Sequence, residues 1–327
     1  MIKFFRQSYV VQYVVIALML ITFWIPTFIA GRVQTDLGSS VTPLYSLIER
    51  ILGFSPYAKL AFAFLLMLFE AALFNMLLVE NQIVGKVSTM GAFVFVILMN
   101  LTRTQVNFYP FALATLFILL MLRVVFRLYL SQKPELELLK AGIYIALASI
   151  CYFPSIFLII WVFVALPIAK KGTLRLQLIP IVGFLFFYFL YFSCIFLFGD
   201  FLAIMHDYRD WFDGLSFTLV GFNLKSVILI TFLVVVSLLF FYGGRNANFE
   251  KTVAVRTKMT MSVLLVLLGI LMLFIGGNVM LNGLIFIGLS IIIAYEFSYM
   301  GNTGWANLFL TLFLLLVFAN HYYFKLL

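Results

Sequence analysis

Leu60-Ala61-Phe62-Ala63-Phe64-Leu65-Leu66-Met67-Leu68-Phe69-Glu70-Ala71-Ala72-Leu73-Phe74-Asn75-Met76-Leu77-Leu78 carries a single ionisable side chain, Glu70. A run of about 20 mainly apolar residues is what a helix needs to cross a hydrocarbon core of roughly 30 Å. Residues 57–79 therefore predict a membrane span. Glu70, 13 residues into it, falls near mid-depth. An ionisable group there is expensive, and it faces the protein interior, a cavity or a partner rather than lipid. Asn75 and Asn100 are its candidate polar neighbours if this span packs against the next one.

The same pattern repeats through the 327 residues, 65% of which are hydrophobic and only 10% charged, at a mean hydropathy of +1.18. A soluble protein of this size could not hide so much apolar surface, which excludes an ordinary cytoplasmic enzyme. Apolar windows fall near 10–30, 57–79, 84–101, 107–126, 139–152, 154–169, 177–199, 223–242, 259–275, 279–297 and 304–322. These predict an all-α, polytopic transmembrane helical bundle of about 11 spans, forming one integral membrane domain over 1–327. The windows 139–152 and 154–169 are short and meet at Pro154. They form either two helices in a tight hairpin or one broken helix, since proline removes a backbone donor and clashes with the preceding turn.

Charge, which played no part in finding the windows, orients them. With the N-terminus in the cytoplasm, 14 of the 21 Lys and Arg lie on the cytoplasmic side and seven outside. That bias follows the positive-inside rule and predicts an N-in, C-out chain. The net charge of +9 is then an orientation signal, and no nucleic-acid partner is expected. The first window is too long, and lacks the small-residue cleavage pattern, for a removable signal peptide. Cys151 and Cys194 form no ligand motif and read as apolar packers. His206 and His321 are too few and too far apart for a metal site, and no cofactor motif is present.

Polar chemistry gathers on the predicted outer side. Loop 31–43 contains Asp36 and leads into Leu44, Leu47, Ile48, Ile51 and Leu52, which recur at helical spacing. Thr42 is placed to cap this segment and Pro43 to occupy its first turn, so about 43–53 predicts a short amphipathic helix lying in the interface. Asp36, held between a span and that helix, is placed for general-base chemistry at the membrane surface, or is a solvated loop residue. Arg103, in the turn after 84–101, presents a guanidinium that can grip a phosphate bidentately, or else remain solvated.

The outer loop with an amphipathic segment at about 200–222 is the richest. His206, Asp207, Arg209 and Asp210 fall together there among aromatic residues. Helical spacing puts His206 and Asp210 on a shared face as an acid/base pair, while the aromatic residues equally suit an interface anchor. Arg209 is a second candidate for a phosphate. Glu296, late in the tenth window, is the other intramembrane carboxylate.

The outer loop bearing Asp36, followed by Pro43-Leu44-Tyr45-Ser46-Leu47-Ile48, resembles the polytopic membrane glycosyltransferases that use polyprenyl-phosphate-linked sugars. That resemblance implies Asp36 as catalytic base and Arg103 or Arg209 as a clamp on the donor phosphate. The loop here is brief and carries one Asp, with no soluble acceptor-binding domain after it. The whole chain also resembles a family of hydrophobic inner-membrane proteins from Bacteroidota, which implies a home in the bacterial inner membrane and no activity. Three functions stay open. An enzyme would bring Asp36, Arg103 and 200–213 to one outer cavity. A transporter or flippase of lipid-linked glycan would open a cavity to Glu70. A non-catalytic subunit of a membrane complex would seal Glu70 by packing and present an apolar face to an integral membrane partner.

Overall fold

The computed structural model describes residues 2–7, 10–31, 43–53, 55–85, 87–101, 106–129, 131–198, 201–213, 253–276, 282–299, 303–319 and 322. Among these every regular element is helical: α1 (Ile2–Phe5), α2 (Val10–Ala30), α3 (Pro43–Leu52), α4 (Pro56–Glu80), α5 (Met90–Met99), α6 (Pro110–Arg127), α7 (Pro134–Cys151), a 3-10 turn (Phe153–Phe157), α8 (Leu158–Ile168), α9 (Leu174–Phe198), α10 (Phe201–Asp213), α11 (Val253–Gly276), α12 (Asn282–Tyr299) and α13 (Thr303–Ala319). Five described stretches are long and apolar enough to cross a membrane: Val10–Ala30, Pro56–Glu80, Pro110–Arg127, Leu174–Leu197 and Val253–Met272. The expected span at 223–242 lies outside the described residues.

The chain divides into two compact units, one of residues 1–33, 60–108 and 218–327, the other of 34–59 and 109–217. In the first unit, α5 and α12 form the centre. All ten residues of α5 are buried, as are residues 283–295 of α12. A helix apolar on every side belongs in a core. At ten residues α5 is about 15 Å long, half of a bilayer core, so the window 84–101 is helical over only part of its length. The reason lies in how α4 ends. Gln82 adopts a left-handed backbone (φ 57°), which lets Gln82 N–H bond to Val79 O and Ile83 N–H to Leu78 O, closing off the last carbonyls. The chain then runs irregularly until Thr89.

Aromatic packing fixes α4 against α5. Phe74 stacks on Phe95 at 4.8 Å, and Leu78 and Asn75 crowd Gly91. The two helices run antiparallel, and Glu70 lies one turn before Phe74 on α4.

Polar tethers gather the helix ends of this unit. Phe5 stacks on Phe93 at 3.9 Å while its carbonyl accepts from Thr89 N–H. Arg6 donates to Phe297 O, Ile2 N–H to Asn307 Oδ1, and Lys258 Nζ to Asn81 O. Basic donors on final helical carbonyls suit the negative end of the helix dipole. Elsewhere in the unit, Trp24 Nε1 donates to Asn100 Oδ1 and Tyr322 OH to Thr22 O.

In the second unit, α7 and α9 approach until backbone meets backbone. A Cβ on Gly142 would strike Pro180 O, and one on Gly183 would strike Leu139 O. Further along, Ser149 meets Tyr188. Residue numbers rise together on both helices, so α7 and α9 run parallel. The chain must therefore turn back between them, and α8 is the returning arm. The break comes where Pro154 removes the amide that would bond Ile150 O, and Tyr152 turns extended (φ −148°, ψ 104°). At the far end of α8, Lys170 (φ 59°) repeats the left-handed stop seen at Gln82.

Candidate functional site

Glu70 is 1% exposed, and its Oε1 has no hydrogen-bond partner among the described residues. The hydrogen bonds that hold Asn75 and Asn100 in place run to other groups. Asn75 donates to Tyr13 OH and Ser88 O and accepts from Ala92 N–H, clamping the start of α5. Asn100 accepts from Trp24 and donates to Val96 O. Both amides tie backbone and helices together. Glu296 is half-buried beside Phe297, whose carbonyl Arg6 holds.

The segment expected at the interface is α3. It packs against α7 with Tyr45 fully buried and Leu47 and Ile51 exposed, leaving one apolar flank free. An ion pair of 2.7 Å between Glu49 and Lys59 ties it to the first turn of α4. Burial first, and then the Glu49 carboxylate, pushes the Tyr45 hydroxyl above the usual phenol range. Asp36 and Arg103 lie outside the described residues.

The segment at 200–222 is helical as α10 over Phe201–Asp213. Phe201, Ile204 and Tyr208, spaced at one helical face, turn inward. Phe201 meets Phe192, and Tyr208 meets Phe153 at 4.9 Å. His206 and Arg209 are exposed on the outward side. Asp207 and Asp210 occupy α10 with side chains outside the described set. Among the described residues no three His, Cys, Asp or Glu side chains come together.

Under α10 lies a group of hydroxyls that the sequence reading missed. Ser149 donates its one proton to Ala146 O at 2.8 Å, so in its 2.9 Å contact with Tyr188 it accepts and Tyr188 donates. The hydroxyls of Tyr188, Tyr191 and Tyr208 lie close together and interact with one another, Tyr208 with both of the others. Two buried hydroxyls at the break after α7, Tyr152 OH and Ser155 Oγ, have no partner among the described residues. Burial, then the Tyr188 and Tyr191 phenols, pushes Tyr208 far above its ordinary range, so it keeps its proton and its donor. The available signal was Tyr188 and Tyr191, three apart and so on one side of an otherwise apolar span.

Comparison of the chain with family models, with curated proteins and with solved structures finds no match.

Proposed function

We propose that this is an eleven-span, N-in and C-out protein of the bacterial inner membrane that acts at the outer face as a glycosyltransferase on a polyprenyl-phosphate-linked sugar. The observation that carries this reading is α3: a buried tyrosine and an ion pair dock an amphipathic helix directly after the loop holding Asp36. The Phe5–Thr89, Arg6–Phe297 and Lys258–Asn81 tethers join segments that the charge bias puts on one side, and Trp24–Asn100 joins segments it puts on the other. That pairing supports the alternation of the spans.

In this scheme Asp36 takes the proton of an acceptor hydroxyl as its oxygen attacks the anomeric carbon. The bond from that carbon to the phosphate oxygen breaks, and polyprenyl phosphate leaves with the electron pair. Arg103 or Arg209 offsets the charge that develops on the leaving phosphate. Asp36→Asn should lower transfer by about 10²–10⁴-fold while insertion and thermal stability stay unchanged. Full transfer activity in that variant would remove Asp36 from the mechanism.

A second reading is a non-catalytic subunit of a membrane complex. It is favoured by the sealing of Glu70 and by the wide apolar flank of α9, where Leu178, Leu185, Phe189 and Phe196 are exposed. Crosslinking in native membranes separates the two, because a subunit yields a stoichiometric adduct along α9 and an enzyme yields none. The sealing of Glu70 weighs against a transporter or flippase that would use it from a cavity.

A further inference from the structure

The basic residues of the second unit gather at one end of its helices. Between Tyr109 and Phe198 the chain has seven Lys and Arg against Glu135 and Glu137, and all of these charges fall within 123–140 or 170–175. The two stretches meet because α7 and α9 run parallel. The end of α6 leads into the start of α7, and the end of α8 into the start of α9. Glu137 reaches Lys140 at 3.4 Å on the surface, a weak pair that leaves a surplus of five positive charges.

At Lys170 the charge is more than a helix stop. The residue ends α8 with a φ of 59°, a backbone conformation that favours glycine. Its amide bonds to Pro167 O and that of Lys171 to Leu166 O, so the backbone alone closes the helix. The side chains of Lys133, Lys170 and Arg175 are left exposed. They border an apolar stripe: Leu174, Leu178, Val182 and Leu185 follow at steps of four, four and three along one exposed side of α9. Leu174, directly beside Arg175, is 80% exposed. An acidic soluble partner would answer the charges and leave the leucines in water. A lipid answers both, with its phosphate on the bases and its chains on the stripe. The stripe also begins where the membrane-crossing run of α9 begins.

We propose that Lys133, Lys170, Lys171 and Arg175 bind the phosphate of an anionic phospholipid whose acyl chains lie along the α9 stripe from Leu174. The site does not depend on sugar transfer. In the N-in arrangement it lies on the cytoplasmic side, opposite the loop of Asp36.

The test uses the full chain in mild detergent and counts bound lipids by native mass spectrometry as phosphatidylglycerol or phosphatidylcholine is added. The native protein should bind phosphatidylglycerol roughly tenfold more tightly than phosphatidylcholine, and inorganic phosphate should not displace it. A base near an anionic surface is worth about a fivefold change in affinity, so Arg175→Gln should weaken phosphatidylglycerol by about that factor. Lys170→Gln/Lys171→Gln/Arg175→Gln should abolish the preference without moving phosphatidylcholine binding or the thermal midpoint. Lys170→Arg/Lys171→Arg should bind as the native protein does. Lys3→Gln/Arg256→Gln, which removes two exposed bases of the first unit, should keep the preference. Equal binding of the two lipids by the native protein overturns the site, as does an undiminished preference in the triple variant. An equal loss in Lys3→Gln/Arg256→Gln would trace the preference to net charge and overturn it too. Displacement by inorganic phosphate, or an acidic polypeptide retained in native membranes and released by the triple variant in place of any lipid preference, would also contradict it.

Discussion

Trp24 donates its indole N–H to the side-chain oxygen of Asn100 across 3.0 Å, in a part of the core where both residues are buried. The bond joins α2 to the end of α5. Replacing one partner leaves the other buried and unsatisfied. Asn100→Leu should therefore cost about 1–3 kcal/mol, while Trp24→Phe, which leaves Asn100 its bond to Val96 O, should cost less at the polar contact. Thermal unfolding in detergent checks this, and an unchanged midpoint in Asn100→Leu would contradict the tie.

Glu70 Oε1 has no partner among the described residues, so its removal should behave differently from that of Asn100. Glu70→Leu exchanges an unmatched polar group for an apolar one of similar size, and stability should hold within about 1 kcal/mol or rise. Transfer activity should persist. A fall in thermal midpoint as large as that of Asn100→Leu would show that Glu70 has a stabilising partner.

Gly142 and Gly183 let α7 and α9 meet backbone to backbone. Gly142→Leu should separate the helices and cost at least about 1–3 kcal/mol, seen as aggregation or a lowered midpoint on size-exclusion and scanning fluorimetry. Gly85→Ala is the control, since a methyl there meets nothing within 4 Å. Equal behaviour of the two variants would show that the close approach is not needed.

Alkaline pH provides a further check. Tyr45 and Tyr208 both have hydroxyls pushed above the ordinary phenol range, so the folded protein keeps protons that the unfolded chain releases near pH 10. Their contribution is full below about pH 10 and is lost as pH climbs toward the folded values. Stability against guanidinium should be flat from neutrality to about pH 10 and fall above it, and Tyr208→Phe should soften that fall. A decline beginning near pH 8 would not come from these phenols.

Much of this architecture was written in the apolar runs. The all-helical class follows from them, the position of α3 follows from the spacing of Leu44 to Leu52, and the break after Cys151 follows from Pro154. Two things were hidden for physical reasons. Hydropathy cannot separate a lipid-facing residue from a core residue, so Phe93 and Val96 of the short, wholly buried α5 look like Phe189 and Phe196 on the open flank of α9. Likewise, Tyr188, Tyr191 and Ser149 sit in apolar windows, where a hydroxyl is indistinguishable from a packing residue until its partners are counted. The asparagines show the converse. Their polarity drew them toward Glu70, while backbone donors and acceptors nearer to hand took their bonds. Cys151 is buried, as a packer should be, whereas Cys194 is exposed on α9.

The most direct measurement is a cryo-EM structure of the protein extracted with its native lipid. The account predicts density for a sugar, a phosphate and a long chain at the outer end of the helices, beside α3. A second polypeptide seated along α9, with no such density, would contradict it.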